Sequence, residues 1–373
     1  MALFTGFGDG KLPRNLQEQN RSMQAMNILS VTSMRNEAPY LLEWIAYHKM
    51  IGISQFLVIS NDCSDGTDAM LDRLSEIGLV RHLRNKNYEK KGVQWTALDL
   101  AAQDPWTKAA EWIFVHDCDE FLNIKLGDGH VSDLVNTHPE ATGFALPWRL
   151  FGNGGVVTLD DQPTIAQFTR CAPEAFSAPW TASLVKTLFK NDGTFGKLGV
   201  HRPKKPQASL LDRAHWINGQ GIRLPKAFVA QGMVLLGPYS GQSQACINHY
   251  SLRSAHGFFS KSQRGLPNVA TKPIDLGYWI DRNFNGNTEL SIQRNLPSLK
   301  DALADLKSDP ILGSLHADGL AYHRSIAAKA LDTRDGVIQL VRMLTQQSIP
   351  MPERLGQNLT ETLRRLNQEA KGQ

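Results

Sequence analysis

Trp112-Ile113-Phe114-Val115-His116-Asp117-Cys118-Asp119-Glu120-Phe121-Leu122 is the stretch from which the rest of the chain is best read. An apolar, strand-like run ends in Asp117-x-Asp119, and apolar residues resume at Phe121. Two carboxylates at the end of a buried strand are costly to bury without partners. A divalent cation is the natural partner, and Mg²⁺ and Mn²⁺ both take such oxygen ligands, often shared with substrate phosphates. An isolated Asp-x-Asp is a weak signal, since many occur in surface turns. Its weight here comes from the elements upstream.

Asn27 to Ser33 has the Val and Thr content of a first strand. Leu41, Trp44, Ile45 and His48 then recur at helical spacing from about Tyr40 to Met50. A second strand at Gln55 to Ser60 ends in Asn61-Asp62-Cys63-Ser64-Asp65-Gly66, where Asp65 is placed to cap a helix over 67–77. Leu79 to Leu83 reads as a weaker strand, 92–103 as a helix closed by Asp104-Pro105, and Trp112 to His116 as the fourth strand. Alternating strands and helices predict an α/β fold with a mostly parallel central sheet. Ligands of such sheets bind outside the carboxyl ends of the strands. Four polar segments fall there: Ser33 to Glu37, Ser60 to Asp65, Arg84 to Lys90, and Asp117 to Glu120.

The rest of the chain has a different texture. Residues 1–26 read as a loose N-terminal arm. The middle reads as short strands at Gly143 to Arg149 (with an interruption), Ile165 to Phe168, Leu184 to Leu188 and Ala227 to Leu235, joined by long loops. From about 292 onward the pattern is helical, with amphipathic segments at 326–331, 337–341 and 357–366. The 373 residues are 42% hydrophobic and 20% charged, as in a globular protein, and a net charge of +4 does not point to nucleic acid. Cys63, Cys118, Cys171 and Cys246 show no CxxC spacing, so scattered thiols in a reducing compartment are expected. The first residues lack the basic and apolar regions of a secretory leader, and the most apolar late stretch is too short to span a bilayer. A cytoplasmic protein is expected, with contact at the inner face of the membrane left open.

Several pieces together resemble bacterial glycosyltransferases of family 2, specifically the family-2-like branch called group 4, which is related to the glycosyltransferase family 92 domain. They are Ser33-Met34-Arg35-Asn36-Glu37, Glu43-Trp44-Ile45-Ala46-Tyr47-His48, Asn61-Asp62-Cys63-Ser64-Asp65-Gly66-Thr67 and Asp117-Cys118-Asp119-Glu120-Phe121-Leu122. Trp148-Arg149-Leu150-Phe151-Gly152, Ile247-Asn248-His249-Tyr250, and Lys261 with Arg264-Gly265 follow in the same order. The resemblance covers about 27–267 and leaves 268–373 as a helical extension. It implies a GT-A fold and a metal-dependent, inverting transfer of a sugar from a nucleotide-sugar donor, first of all a UDP-sugar. The implied acceptor is a glycan, glycolipid or other glycoconjugate, as in polysaccharide biosynthesis.

The resemblance also implies roles. Asp119 becomes the direct metal ligand, His249 the late histidine that completes the site, and Asp117 a contact to the ribose or sugar with an indirect reach to the metal. Mn²⁺ is the first choice over Mg²⁺, because it accepts imidazole as well as carboxylate. The backbone near Ser33 is expected to meet a base edge, Glu37 and Asp62 the nucleoside, and Arg35 a phosphate or Glu37. Gln94, Lys186, Lys261 and Arg264 are expected at the donor, and Trp148 and Arg149 at the acceptor. An inverting transfer needs a general base; of Asp160, Asp161 and Glu174, Asp161 is the first expectation.

Two other readings compete. One is a nucleotidyltransferase or nucleotide-sugar pyrophosphorylase, disfavoured because the first strand leads into Ser33 to Glu37 and not a glycine-rich basic loop. The other is a non-catalytic carbohydrate-binding protein on a degenerate transferase fold. No GxGxxG follows the first strand, which disfavours a dinucleotide oxidoreductase. The helical extension could pack on its own domain, make a homodimer, cover the acceptor or lie on a membrane.

Overall fold

The computed structural model describes residues 26–86, 88, 90–174, 179–264, 274–348 and 352–369. Apart from Met26, the expected N-terminal arm lies outside them. The main sheet comprises β1 (Ile28–Met34), β2 (Gln55–Ser60), β3 (Arg81–Arg84), β4 (Trp112–Val115), β5 (Glu120–Ile124), β6 (Gly143–Leu150), β7 (Val185–Lys190), β8 (Trp216–Asn218) and β9 (Ala245–His249). Its order is β3-β2-β1-β4-β7-β6-β9-β5, with β8 also paired to β6. Strands β1 to β4 are mutually parallel, and β6 is parallel to both β8 and β9. Strand β7 is antiparallel to its two neighbours, and β5 is antiparallel to β9. The sheet is mostly parallel, flanked by helices and followed by a helical C-terminal extension.

Helix α1 (Ala38–Met50) returns the chain from β1 to β2 and is buried on nearly every side. Such a helix must be apolar all round, and Leu41, Leu42, Trp44, Ile45 and Tyr47 meet that demand at about 1.5–3 kcal/mol of burial each. Helix α2 (Thr67–Glu76) joins β2 to β3. Helix α3 (Val93–Gln103) packs with the second core, centred on Leu29, Val31 and Val185. The chain moves outward from β1 through β2 to β3, then crosses back to place β4 on the other side of β1. That reversal makes a crevice at the carboxyl ends of β1 and β4, the usual ligand position in open α/β sheets.

Pro147 explains the interruption expected in β6. Strand β8 pairs up to Ala145 and β9 begins at Trp148, so Pro147 falls between two ladders and its missing N–H costs neither a bond. Two expected strands are corrected. Ile165 to Phe168 lies in a helical turn, Thr164–Gln167, and Ala227 to Leu235 opens with helix Lys226–Gln231. Pro163 and Pro225 stand at their N-termini, where a fixed φ starts a helix; short apolar runs cannot by themselves separate helix from strand.

The carboxyl-terminal part forms α4 (Ala255–Arg264), α5 (Leu296–Ser308), α6 (Pro310–Leu331), α7 (Arg334–Thr345) and α8 (Glu353–Glu369). Leu299, Leu306 and Leu312 join the same core as Trp44 and Phe121. Asp309 caps α6 by accepting from the Ile311 and Leu312 amides at 3.1 and 3.0 Å, with Pro310 in the first turn. Gly319 brings α6 close to α1: a Cβ there would stand 2.5 Å from Cβ of Ala38. Among the described residues no helix is long and apolar enough to cross a membrane.

Candidate active site

The site grows from the loop Asp117 to Asp119 between β4 and β5. Strand β5 is the edge of the sheet, and α1 covers it. Tyr47 donates its hydroxyl to the Leu122 carbonyl at 2.8 Å, and the Leu122 amide donates to His48 Nε2 at 3.3 Å. Trp44 Nε1 donates to the Asp117 carbonyl at 3.1 Å. The motif Glu43 to His48 therefore supports the acidic loop from behind and satisfies backbone groups that an edge strand would leave bare. Glu43 itself accepts from the Thr164 and Ile165 amides, and burial raises its pKa above the usual carboxylate value.

Lys186 corrects an expectation. It is wholly buried on β7, 2.8 Å from Asp117 Oδ2 and 3.2 Å from Glu120 Oε2, so it serves the loop carboxylates as a counter-ion and does not stand open to a donor. Burial opposes its charge, but the two carboxylates outweigh that and raise its pKa. Burial pushes the Glu120 carboxyl upward. Glu120 also accepts from the Asp117 amide at 2.8 Å, which pins the loop backbone. Asp117 keeps 38% of its side chain exposed and faces the crevice.

Asp119 is brought to His249 by tertiary pairing. Strand β9 runs antiparallel to β5 with His249 opposite Glu120, and the Tyr250 amide donates to the Asp119 carbonyl at 2.8 Å. His249 Nε2 lies 3.6 Å from Asp119 Oδ1, beyond hydrogen-bonding range. Lys261 of α4 donates to Asp119 Oδ2 at 2.6 Å. Burial works against the Asp119 charge, yet Lys261 and His249 together hold its pKa well below the ordinary value. Burial lowers His249, leaving a neutral imidazole whose lone pair is available. Trp148 packs on that imidazole with ring centroids 4.2 Å apart, and His201 lies 5.3 Å from Trp148.

Arg253 was not singled out from sequence. It follows β9, is buried, and has a left-handed backbone with φ of 56°. Its guanidinium donates to Glu37 Oε2 and to the Cys118 carbonyl, both at 2.9 Å, and stacks 3.5 Å over the Tyr40 ring. One side chain thus ties together the segments that follow β1, β4 and β9, and Glu37 is committed to that tie. The available signal was a charged residue inside Leu252-Arg253-Ser254-Ala255, between a strand and an amphipathic helix. The other non-glycine left-handed residues include Asn36 and Asp62, with φ of 53° and 45°. Strained backbone gathering at the carboxyl ends of β1, β2 and β9 marks a site held in shape by its surroundings.

The residues expected at the nucleotide lie at the ends of β1 and β2 and at the start of α3. Ser33 sits near the end of β1, opposite Ile59. Asp62 accepts from Asn61 at 3.1 Å and from the Tyr88 hydroxyl; Tyr88 is the main cause of its lowered pKa, and Arg35 adds to it. Gln94 is buried at the start of α3, and its Oε1 has no partner among the described residues. Trp148 and Arg149 leave β6 on opposite faces, as neighbours in a strand do. Trp148 joins His249, while Arg149 is buried beside Gln242, its Nη1 3.5 Å from Gln242 Oε1. Of the two residues expected at the acceptor, Arg149 is thus on the face turned away from His249. Trp216 is core. Arg264 ends α4, and its side chain lies outside the described residues.

Asp161 is committed elsewhere. It accepts from Lys307 at 2.7 Å and from His316 Nε2 at 2.9 Å, both on the helical extension. These contacts, His316 first, push its pKa far below the carboxylate range. A carboxylate held so strongly as an anion is a poor proton acceptor, which counts against it as the general base.

No group of three or more His, Cys, Asp or Glu capable of holding a metal occurs among the described residues. Asp119 and His249 nevertheless make a mixed oxygen and nitrogen pair that face each other without bonding. The buried Nδ1 of His249 and Oγ of Ser251 have no partner among the described residues. Two protein ligands fit a cation that completes its shell with phosphate and water.

The Glycosyltransferase family 92 model matches residues 28–205. That span contains both aspartates and stops short of His249, Arg253 and Lys261. A glycosyltransferase family 92 protein of Oryza sativa subsp. japonica is 23% identical over 325 residues, covering 82% of this chain and 48% of its own length. Another, from Arabidopsis thaliana, is 29% identical over 285 residues, covering 69% of this chain and 40% of its own. The chain is thus similar to glycosyltransferase family 92 proteins over these spans. The finer family-2-like group 4 placement is not separately supported. The chain spans about half or less of the length of these relatives. Among solved structures, S. aureus TarS in complex with UDP-GlcNAc is similar at 11% identity, over 44% of this chain and 45% of that one, with a TM-score of 0.27. A likeness that low carries no argument.

Proposed function

We propose that this protein is a metal-dependent, inverting glycosyltransferase that moves a sugar from a UDP-sugar to a glycan or glycoconjugate acceptor. The observation that carries the reading is the pair Asp119 and His249 at the switch-point crevice, inside a fold and sequence span similar to glycosyltransferase family 92. Asp119 and His249 would hold the cation, Mn²⁺ first because imidazole is in the set. When bound, that cation would neutralise charge on the departing diphosphate.

The remaining work falls to the chain's own residues. Asp117, fixed by Lys186 and partly open to the crevice, would accept a bond from a ribose or sugar hydroxyl. Asp62 and the backbone at Ser33 would meet the nucleoside, with Gln94 Oε1 as a buried acceptor at the same end. Trp148 would present a face to the sugar while fixing the His249 ring. Arg253 would keep the three strand-end segments in register, so donor and cation groups meet without reorganisation.

The test is nucleotide release from a panel of UDP- and GDP-sugars, with Mn²⁺ or EDTA, on wild type and D119A. Manganese-dependent release from a UDP-sugar, lost in D119A, is the expected result. Failure of every nucleotide sugar to bind in a metal-dependent way would overturn the reading. The anomeric configuration of the first product, read by NMR, tests inversion.

A further inference from the structure

Lys261 stands where a cation is called for. Its ammonium lies 2.6 Å from Asp119 Oδ2 and 2.7 Å from the Ser251 carbonyl oxygen, on a side chain only 14% exposed. The other carboxylate oxygen faces His249 across 3.6 Å without a hydrogen bond. The positive charge that Asp119 requires is therefore supplied by the protein, from a four-carbon arm on α4.

We propose, resting on the cation site above, that Lys261 is a placeholder for the divalent cation. Its ammonium neutralises Asp119 while no cation is bound and withdraws when one binds. Two observations support this beyond the short contact. An ammonium and a dication on one buried carboxylate repel each other in a low-dielectric site, so the lysine on Oδ2 competes with a cation for Asp119. The lysine also has somewhere to go. Ser251, Ser260, Tyr40, Glu37 and Arg253 line, with Lys261, a cavity of about 20 Å³, about one water in size. The Ser251 and Ser260 hydroxyls there are buried without a partner among the described residues. The Tyr278 ring, 5.6 Å from Nζ, offers a further cation–π contact.

This arrangement lets the buried aspartate fold and persist without metal, at the cost of weaker metal binding. Removing the ammonium should tighten cation binding. A lysine that helped to hold the metal or its phosphates would have the opposite effect, and its loss would weaken binding.

The experiment is Mn²⁺ binding to the full, metal-stripped chain, followed by the EPR signal of free Mn²⁺, in wild type, K261M, K261R and D119N. K261M is expected to bind roughly tenfold tighter than wild type, while K261R keeps the competing charge and does not gain. Metal-stripped K261M should also melt below wild type, and added Mn²⁺ should close that gap. Asp119-dependent binding in wild type with no gain in K261M overturns the placeholder and leaves the proposed function standing. Binding no better in wild type and K261M than in D119N overturns both. If circular dichroism shows K261M unfolded, K261Q takes its place with the same expectation.

Discussion

Two clusters in this molecule are built from the same three residue types. Asp119 meets Lys261 and His249 at the strand ends; Asp161 meets Lys307 and His316 where the helical extension docks. At Asp161 both contacts are closed, at 2.7 and 2.9 Å, and 47% of the carboxylate side chain remains exposed. At Asp119 only the lysine contact is closed, the histidine stands off at 3.6 Å, and the aspartate is 12% exposed. Residue type does not separate a docking clamp from a candidate ligand site. Burial and an unclosed contact do, because a buried charge that is incompletely paired is held by the fold against its own solvation and is poised for a ligand.

The largest expected effect tests that contrast directly. D119N should cost roughly a hundredfold to a thousandfold in transfer rate, as losing one preorganised electrostatic contact does elsewhere, whereas D161N should stay within about threefold of wild type by the same measure. A collapse of kcat in D161N with an unchanged melting temperature would break the comparison and return Asp161 to the role of base. Next, H249A should weaken Mn²⁺ binding by about tenfold or more, with activity recovered at higher Mn²⁺. H316A should leave Mn²⁺ binding unchanged and lower the melting temperature.

The acid dependence of stability sharpens the clamp. Asp161 has its folded pKa depressed, so its contribution is fully present above the ordinary carboxylate value of about 4 and is lost as pH falls through the folded one. The melting difference between wild type and D161N should therefore be constant near neutral pH and shrink in acid. A difference that grew in acid would contradict the pairing. The smallest effect is K307M, a partly exposed partner that should cost about 1 kcal/mol or less in denaturant unfolding.

The same contrast explains what could be read early. Strand, helix and turn patterns up to Trp112 are local, and β1, β2, β4, α1 and α2 formed close to where periodicity put them. Ile165 to Phe168 and Ala227 to Leu235 did not, because short apolar runs suit either element until neighbours and a preceding proline choose. Asp117 and Asp119 were legible because a polar pair interrupted an apolar run. Arg253 was not, since a lone arginine beside a helix start has no periodic signature. Asp161 drew attention as a carboxylate in a loop-rich region, and its two partners, Lys307 and His316, lie 146 and 155 positions away.

By itself the sequence determined the alternation of strands and helices, the acidic loop after the fourth strand, and a resemblance carried by a set of ordered motifs. These follow from hydrophobic periodicity and turn chemistry, which act over a few residues. Only the tertiary structure decided that His249 and Lys261 meet Asp119, that Lys186 lies under Asp117, that Arg253 locks Glu37, and that Asp161 belongs to the helical extension. Each of these depends on the pairing of distant strands or the docking of a helix, and a buried charge finds its partner only when the whole sheet has closed around it.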